Sequence, residues 1–303
     1  MGIEQAVQEY LESRRKGKRR PKTLEWHQTA LHLFQQYLQE ECQCVSVNQI
    51  TEAEVRNWIT FLREKPTARG TFRSAGTVQS YARSVRAFCQ WLVRRRYLSR
   101  TPFPRRLLPQ VGPPLPQWLE QGEWERLLLA CQPGEGSAVV SAEQGARNRA
   151  LLWVFAQTGI RPCEICELRL SDVDRERGML RVKGKDGRWR WVPLGSEGLH
   201  HLLAYVDGFR LERMKQEQRK RQGEEMLFVS ETGRPLKRNT IDLVLSRLRK
   251  RAGITRKGVN PSLLRDTFAV RYLQAGGDLF TLRDLLGQEE SVVVRRALRM
   301  SER

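Results

Sequence analysis

Prolines concentrate in one short stretch of the chain, and this distribution sets the number of folding units. Six of the thirteen prolines lie between positions 102 and 116, namely Pro102, Pro104, Pro109, Pro113, Pro114 and Pro116. Proline lacks a backbone N–H and fixes φ, so this stretch forms neither a helix interior nor a central strand. We therefore predict a first domain over residues 1–101, an extended linker over 102–117 and a second domain over 118–303.

The first predicted domain shows helical periodicity throughout. Apolar residues recur at spacings of three and four, as on one face of a helix, at Val78, Tyr81, Val85, Phe88 and Leu92. A similar stripe runs from Trp26 to Leu38. Thr51 is typical of a helix cap, with the Glu54 side chain reaching back to it. Four short helices fit this domain.

The second predicted domain mixes helices with a few strands. Helices are expected over 120–132, over 145–157 and from Arg161 onward. Two alternating segments rich in Val and Trp predict short strands at Met179–Lys183 and Trp189–Val192, and Met226–Val229 is predicted as a third short strand. Gly184 and Gly187 permit a hairpin turn between the first two. The predicted fold class is therefore mainly α with a small β-sheet, an all-helical domain followed by an α+β domain.

The charge balance favours a polyanionic partner. The chain carries 54 Lys and Arg residues against 34 Asp and Glu, a net charge of +20. Nucleic acid and an anionic membrane surface both meet that description. The basic residues are spread over both predicted domains and form no single amphipathic helix, which argues against the membrane surface.

The candidates for phosphate contact are basic residues of both domains and of the proline-rich stretch. A run near the N-terminus supplies Arg14, Arg15, Lys16, Lys18, Arg19, Arg20 and Lys22. Further candidates are Arg83, Arg86, Arg105, Arg106, Lys183 and Arg188. In so basic a chain, phosphate contact is favoured over a merely solvated loop for the N-terminal run.

The chain shows no secretory or membrane-spanning pattern. Its N-terminus lacks a charged segment followed by an apolar one, and no apolar run approaches the roughly 18 residues needed to span a bilayer. We expect a cytoplasmic, nucleoid-associated protein whose six cysteines are thiols. Cys163 and Cys166 form a lone CxxC without a second pair or a nearby His, so packing is favoured over a metal site, and no metal is expected.

Two separated stretches carry the most specific motifs. The first contains Thr158-Gly159-Ile160-Arg161-Pro162-Cys163-Glu164, followed by Gly184-Lys185 and by Val192-Pro193-Leu194. The second contains Leu264-Arg265, followed by Leu285-Leu286-Gly287. In this order and spacing they resemble the catalytic domain of the tyrosine recombinases, the phage-integrase family with its Xer-like members. The segment from Gly76 to Leu92 resembles the last helix of that family's core-binding domain.

This resemblance implies a fold and a chemistry. It implies an N-terminal core-binding (SAM-like) domain and a C-terminal catalytic domain that form a C-shaped clamp around duplex DNA. Arg161 and Arg265 match the arginines that hold the scissile phosphate, a task suited to guanidiniums because they bind its oxygens bidentately and keep their charge. Lys185 matches the lysine that protonates the leaving oxygen, with Lys183 and Arg188 as close rivals. The family forms a phosphotyrosyl intermediate without metal, ATP or other cofactor, in an assembly of four.

The chain departs from the family's pattern at three positions. Ser262 stands where the family usually has His or Lys, and Gln288 where it has His or Trp. Ala297 occupies the position of the nucleophilic tyrosine, and a methyl group cannot attack phosphorus. An engineered change explains only Ala297, whereas natural decay or repurposing explains all three. A tyrosine supplied by a partner chain is a further alternative.

Two functions follow for this chain. One is a recombinase- or integrase-like protein that binds double-stranded DNA at a recombination site and holds the scissile phosphate without cleaving it. The alternative is a non-cutting DNA-binding protein that marks a site, or that partners or antagonises an active paralogous recombinase. Either is expected to act as a homo-oligomer, from dimer to tetramer, on DNA. A ribosome- or RNA-associated basic protein fits the charge but not the ordered motifs.

Overall fold

The computed structural model of the protein describes residues 1–17, 21–112, 117–133, 140–210, 225–256 and 258–287, with residues 21 and 22 described by their backbone alone. The chain divides into two units, Met1–Gly112 and Pro113–Arg303. Within the described ranges, every helix is too short or too polar to cross a lipid bilayer.

The first unit is built from four helices. They are α1 (Ile3–Lys16), α2 (Pro21–Glu40), α3 (Glu52–Glu64) and α4 (Ala75–Arg94), with 3-10 turns at Val47–Gln49 and Arg105–Leu107. The four predicted helices are confirmed. The predicted start of α3 is also confirmed, since the Thr51 backbone N–H donates to Glu54 Oε2 at 2.8 Å and Thr51 Oγ1 accepts from the Ala53 N–H at 3.1 Å.

The core of the first unit is aromatic and extends into the proline-rich stretch. Phe34, Trp58 and Phe88 are fully buried there, and Phe34 packs edge-on against Trp58 with ring centroids 5.0 Å apart. Phe103, from the segment predicted as linker, is buried in the same core. Gln79 Nε2 donates to the Pro109 carbonyl at 2.8 Å. The proline-rich stretch therefore packs on the first unit at least as far as Pro109.

The second unit contains seven described helices and one small sheet. Its helices are α5 (Gln121–Leu129), α6 (Ala142–Thr158), α7 (Pro162–Glu167), α8 (Ser196–Tyr205), α9 (Arg238–Arg251), α10 (Pro261–Gln274) and α11 (Leu279–Leu286). A 3-10 turn covers Leu170–Asp172, and a π-helical turn at Val206–Arg210 continues α8. The antiparallel strands β1 (Val173–Asp174), β2 (Met179–Lys183) and β3 (Trp189–Pro193) pair in chain order. The mainly helical fold class with a small sheet is confirmed.

One predicted strand is wrong. Met226–Val229 makes only isolated bridges, from Met226 to Arg169 and from Val229 to Pro235, and the sheet's third strand is β1 instead. Leu227 and Phe228 are buried in the core of the second unit. Their apolar run thus reflects core packing, which periodicity cannot distinguish from strand pairing in so short a segment.

A close contact between α6 and α10 brings the two motif stretches together. Helix α6 ends at Thr158 and is capped by Gly159, which has a left-handed φ of 57°. A Cβ at this position would lie 2.4 Å from the Phe268 ring of α10 and 2.9 Å from the Leu286 side chain of α11. Only glycine therefore allows the chain to turn here while α10 and α11 pack against it.

Candidate active site

Arg161 is held in place by its own helix. Pro162 opens α7, and the Arg161 backbone N–H donates to Glu164 Oε2 at 2.7 Å. The Arg161 side chain returns to the same carboxylate, with Nη1 donating to Oε1 at 2.8 Å. Because the Glu164 side chain is only 2% exposed, one buried carboxylate orients both the backbone and the guanidinium of Arg161.

Arg265 projects from α10 into the contact between α6 and α11. It is 6% exposed, its Nη1 donates to the Gly159 carbonyl, and its Nη2 donates to the Leu286 carbonyl at 2.7 Å. A buried guanidinium needs such partners, since an unpaired buried charge is costly. The arginines predicted from the two motif stretches therefore reach the same place.

That place is the carboxyl end of α11. Arg265 bonds the Leu286 carbonyl, Arg161 Nη2 donates to the Gly287 carbonyl at 3.2 Å, and Arg190 Nε donates to the Leu285 carbonyl at 2.8 Å. Three guanidiniums thus meet three consecutive carbonyls where a helix ends in a left-handed glycine. The negative end of the helix dipole suits this concentration of positive charge.

Arg190 was missing from the sequence-based candidates. It lies on β3 and forms a fork with Glu164, with Nη1 3.1 Å from Oε1 and Nη2 3.0 Å from Oε2. Strand periodicity contained the necessary signal, because Arg190 is two residues from the buried Val192 and so lies on the core side of the sheet. A charged residue on the core face of a strand requires a buried partner, which here is Glu164.

Gly287 is required by the same cluster. Its φ is 59°, and a Cβ there would lie 2.9 Å from Arg190 Cζ. The glycine that follows Leu285-Leu286 in the motif therefore admits a guanidinium against the backbone.

Two groups of the cluster, Arg265 and Glu164, have shifted pKa values, and both are ionised near neutral pH. Burial, together with the charge of Arg161, lowers the pKa of Arg265 to about 9, which still leaves it protonated at neutral pH. Burial raises the pKa of Glu164, but the hydrogen bond from Arg190, the Arg161 N–H and the two positive charges outweigh it and lower that pKa overall. Glu164 bonds two of the guanidiniums, and Asp266 also acts on Arg265, so the three cations still outnumber these two carboxylates and leave a net positive charge that suits an anion.

The hairpin between β2 and β3 carries Lys185 on an exposed turn. Gly187 has a φ of 86°, and the Gly184 N–H donates to the Arg188 carbonyl at 2.7 Å, closing the turn. Lys183 and Arg188 were the rivals of Lys185. Lys183 Nζ lies 5.7 Å from the Trp189 ring centroid, and Arg188 Nε lies 3.6 Å from Asp186 Oδ2. The structure unites Arg161 with Arg265 and keeps Lys185 on the exposed turn.

Of the three residues that depart from the predicted motif pattern, only Ser262 lies within the described part of the chain. Ser262 is exposed in the first turn of α10, where Asn260 caps the helix by accepting from the Leu263 N–H at 3.0 Å. It precedes Arg265 by three residues, which places both on one face of the helix. Gln288 and Ala297 lie outside the described residues.

The predicted phosphate-contacting residues of the first unit occupy several elements. Arg14, Arg15 and Lys16 form the last turn of α1, with Arg14 Cζ 5.0 Å from the Tyr10 ring centroid. On α4, Arg83 is exposed and Arg86 is partly buried. Arg105 and Arg106 are exposed, and Arg106 also bonds Glu52. Lys18, Arg19 and Arg20 lie outside the described residues, as does the side chain of Lys22.

Comparison with known sequences matches both units. The profile of the phage integrase family matches residues 117–298, and that of the phage integrase N-terminal SAM-like domain matches residues 7–96. The chain is 30% identical to tyrosine recombinase XerC of Oceanobacillus iheyensis over 269 residues, which cover 89% of this chain and 82% of the relative. It is 28% identical to XerD of the same organism over 268 residues, covering 88% and 84%.

Solved structures share the fold. The structure of the Tn1549 transposon integrase in complex with transposon right end DNA has a TM-score of 0.74 and 17% identity, and the match covers 99% of this chain and 94% of that one. A lambda integrase dimer bound to a COC' core site has a TM-score of 0.71 and 17% identity, with 96% of each chain covered.

Proposed function

The chain belongs to the phage integrase family, and on that premise we propose that it binds duplex DNA and holds one backbone phosphate with Arg161 and Arg265. The observation that carries the proposal is the meeting of these two side chains at the carboxyl end of α11, although they lie 104 positions apart in the sequence. Their bonds to the adjacent carbonyls of Leu286 and Gly287 and the net positive charge of the cluster support an anion site there.

The chemistry of the cluster suits a phosphodiester. Guanidiniums present paired donors that match phosphate oxygens, and Arg265, with its pKa lowered to about 9, still carries its charge at neutral pH. Glu164 orients Arg161 through its backbone and its side chain, while the carbonyls of Gly159 and Leu286 orient Arg265. A prearranged pair of this kind loses little conformational entropy when the phosphate arrives.

The relatives and structural neighbours support duplex DNA as the partner, and they support binding by more than one copy of the chain. The relatives are named tyrosine recombinases, one structural neighbour is in complex with transposon end DNA, and another is a dimer bound to its core site. The net charge of +20 supports the same partner. A homo-oligomer on DNA, from dimer to tetramer, is therefore part of the proposal.

We further propose that this chain does not cleave the DNA it binds. Ala297 offers no nucleophile, and Ser262 and Gln288 replace two more residues that the family uses around the phosphate. The two arginines remain while these three positions differ. That combination favours a second candidate function, a protein that marks a recombination site or that partners or antagonises an active recombinase.

A covalent-capture experiment tests both parts of the proposal. Duplexes selected from a random pool by the purified protein provide the binding site, and nicked versions of them provide the capture substrate. We expect retention of duplex DNA without a denaturation-resistant adduct, and weaker retention by Arg161→Ala. An adduct formed by the unaltered chain would overturn the non-cleaving part. Failure to retain any duplex would overturn the DNA-binding part.

The variant Ala297→Tyr examines the remainder of the site. If Arg161, Arg265 and a cation from the hairpin still surround the phosphate, the restored tyrosine should produce adducts that its double variant with Arg161→Ala does not. Adducts would show that the site lacks only its nucleophile. Their absence would show that Ser262 and Gln288 do not perform the function of the residues they replace.

A further inference from the structure

The small sheet has one face that does not belong to the core. The register of β2 and β3 pairs Arg181 with Trp191 and Lys183 with Trp189, and directly opposed residues share a face. We call these four residues the tryptophan face. The alternate residues point into the core of the unit and are fully buried, namely Leu180, Val182 and Val192.

Both tryptophans of this face are exposed. Trp189 is 53% and Trp191 is 50% accessible to solvent, although they are neighbours on one strand face. Proteins rarely leave adjacent large aromatic side chains in water unless a partner covers them, and tryptophan is enriched at interfaces. The two indole rings do not contribute to the core of the second unit, because the opposite face of the sheet packs against that core.

Cations lie over one of the rings in a fixed arrangement. Arg181 Cζ is 4.9 Å and Lys183 Nζ is 5.7 Å from the Trp189 ring centroid. Arg181 also donates from Nε and Nη2 to Oδ1 of Asp172, at 3.0 and 2.9 Å, and this carboxylate is buried. A buried anion therefore holds the guanidinium beside the indole, so the surface is prearranged.

We propose that the tryptophan face binds unpaired bases of DNA. Aromatic side chains that stack on bases, combined with cations that track the phosphates, are the means by which proteins bind single-stranded nucleic acid. In β2 and β3, both wholly described, Met179 and Pro193 flank the tryptophan face on the same side of the sheet, and none of these six side chains is acidic. The charge therefore favours a polyanion over a peptide, and a closed duplex has no base faces to offer.

The location links this face to the proposed phosphate site. Trp189 directly precedes Arg190, which contacts Glu164 and the end of α11. A cavity of about 380 Å³ is lined by Trp189 and Arg190 from the hairpin and by Arg283 and Gly287 from the end of α11. Its wall also carries Asp186 and Asp284, which Arg188 and Arg283 balance in number, with Arg190 in excess. The inference rests on the proposed function in placing an unpaired base beside the phosphate that the arginines hold.

The test compares two DNA probes at one salt concentration, a labelled perfect duplex and the same duplex with an internal bubble of mismatched bases. The bubble contains 2-aminopurine, whose fluorescence falls when it stacks on an aromatic ring. We expect the wild-type chain to bind the bubble more tightly than the duplex, by about 5- to 150-fold for one stacked base, and to quench the probe. Equal affinities for the two probes would overturn the inference.

Variants assign the effect to the rings. Trp189→Ala combined with Trp191→Ala should abolish the preference and the quenching while leaving duplex affinity unchanged. Replacing both with Phe should retain part of the preference, which guards against loss of folding in the Ala pair. Lys183→Gln should weaken binding of both probes alike. Trp26→Ala provides a matched control, because Trp26 is 45% exposed in the first unit and its loss should leave the preference intact.

The outcomes for the two proposals are separate. Duplex binding without a preference for the bubble overturns only the base-stacking site. Bubble binding without duplex binding supports the base-stacking site and contradicts the proposed function. A double Ala variant that is folded, by its far-UV circular dichroism, and still prefers the bubble would show that the bases stack elsewhere.

Discussion

Glu164 is the buried carboxylate that pairs with both Arg161 and Arg190, and its neutralisation should destabilise the second unit strongly. Its carboxylate accepts four hydrogen bonds, from the Arg161 N–H, Arg161 Nη1, Arg190 Nη1 and Arg190 Nη2, at 2.7, 2.8, 3.1 and 3.0 Å. Glu164→Gln preserves the shape but removes the charge and turns one acceptor into a donor that faces another donor. Arg161 and Arg190 would then remain close together without a counter-charge.

The expected loss follows from burial. Breaking a buried ion pair by neutralising one partner costs about 3–5 kcal/mol, because the remaining charge is left without compensation. The Glu164 side chain is 2% exposed, so solvent offers little screening. We expect the free energy of unfolding of the second unit to fall by about 3–5 kcal/mol in Glu164→Gln. Urea unfolding followed by circular dichroism measures this difference.

A matched control separates burial from charge. Asp207 receives a two-pronged contact from Arg175, at 3.1 and 2.9 Å, but both side chains are about half exposed. Asp207→Asn should change stability by no more than about 1 kcal/mol, as for other surface ion pairs. Equal effects of the two variants would refute the argument from burial.

The pH dependence carries a definite sign. The pKa of Glu164 is lowered in the folded protein below its ordinary value of 4.5, so the carboxylate stabilises the fold above that pH. This contribution is lost as the pH falls through the lowered pKa of the folded state. The difference in stability between the wild type and Glu164→Gln should therefore be constant above about pH 5 and shrink in more acidic solution. A difference that grows with acidity would contradict the assignment.

Three further predictions concern the same region and the charge of the chain. Gly287→Ala should lower the melting temperature more than Gly276→Ala. Both glycines have a positive φ, of 59° and 85°, so the backbone strain is similar. Only a Cβ at position 287 would meet Arg190, because position 276 faces open space. Asn260→Ala removes the cap of α10 and should reduce the free energy of unfolding by about 1 kcal/mol in urea titrations. Duplex affinity, measured by fluorescence anisotropy, should fall by about three decades or more between roughly 50 and 200 mM salt if six or more phosphates are contacted, and an affinity independent of salt would argue against backbone binding.

Local patterns in the sequence predicted much of the architecture. The spacing of Val78, Val85 and Phe88 placed the buried face of α4 correctly, and Thr51 with Glu54 marked the start of α3. These features depend on neighbouring residues and on the helical repeat, so they can be recognised without any long-range contact. The choice of Arg161 and Arg265 also came from the sequence, through motifs whose order resembles a known family.

Packing overrode local pattern in two places. Phe103 belongs to a proline-rich stretch that has no helical or strand period, yet it is buried in the core of the first unit. Leu227 and Phe228 looked like part of a strand, but they are buried without joining the sheet. A short apolar run shows that a segment is buried, while the element that buries it depends on residues far away in the chain.

The cation cluster depended on tertiary contacts in the same way. Arg190 contacts Glu164 across 26 positions and the Leu285 carbonyl across 95. No local pattern connects these residues, because the fold closes the cluster only when the sheet, α7 and the end of α11 pack together. The sequence therefore specified the residue types, including the alanine at position 297, and packing between distant elements specified which guanidiniums share one carboxylate. Long-range contacts of this kind set the distances on which electrostatic energy depends.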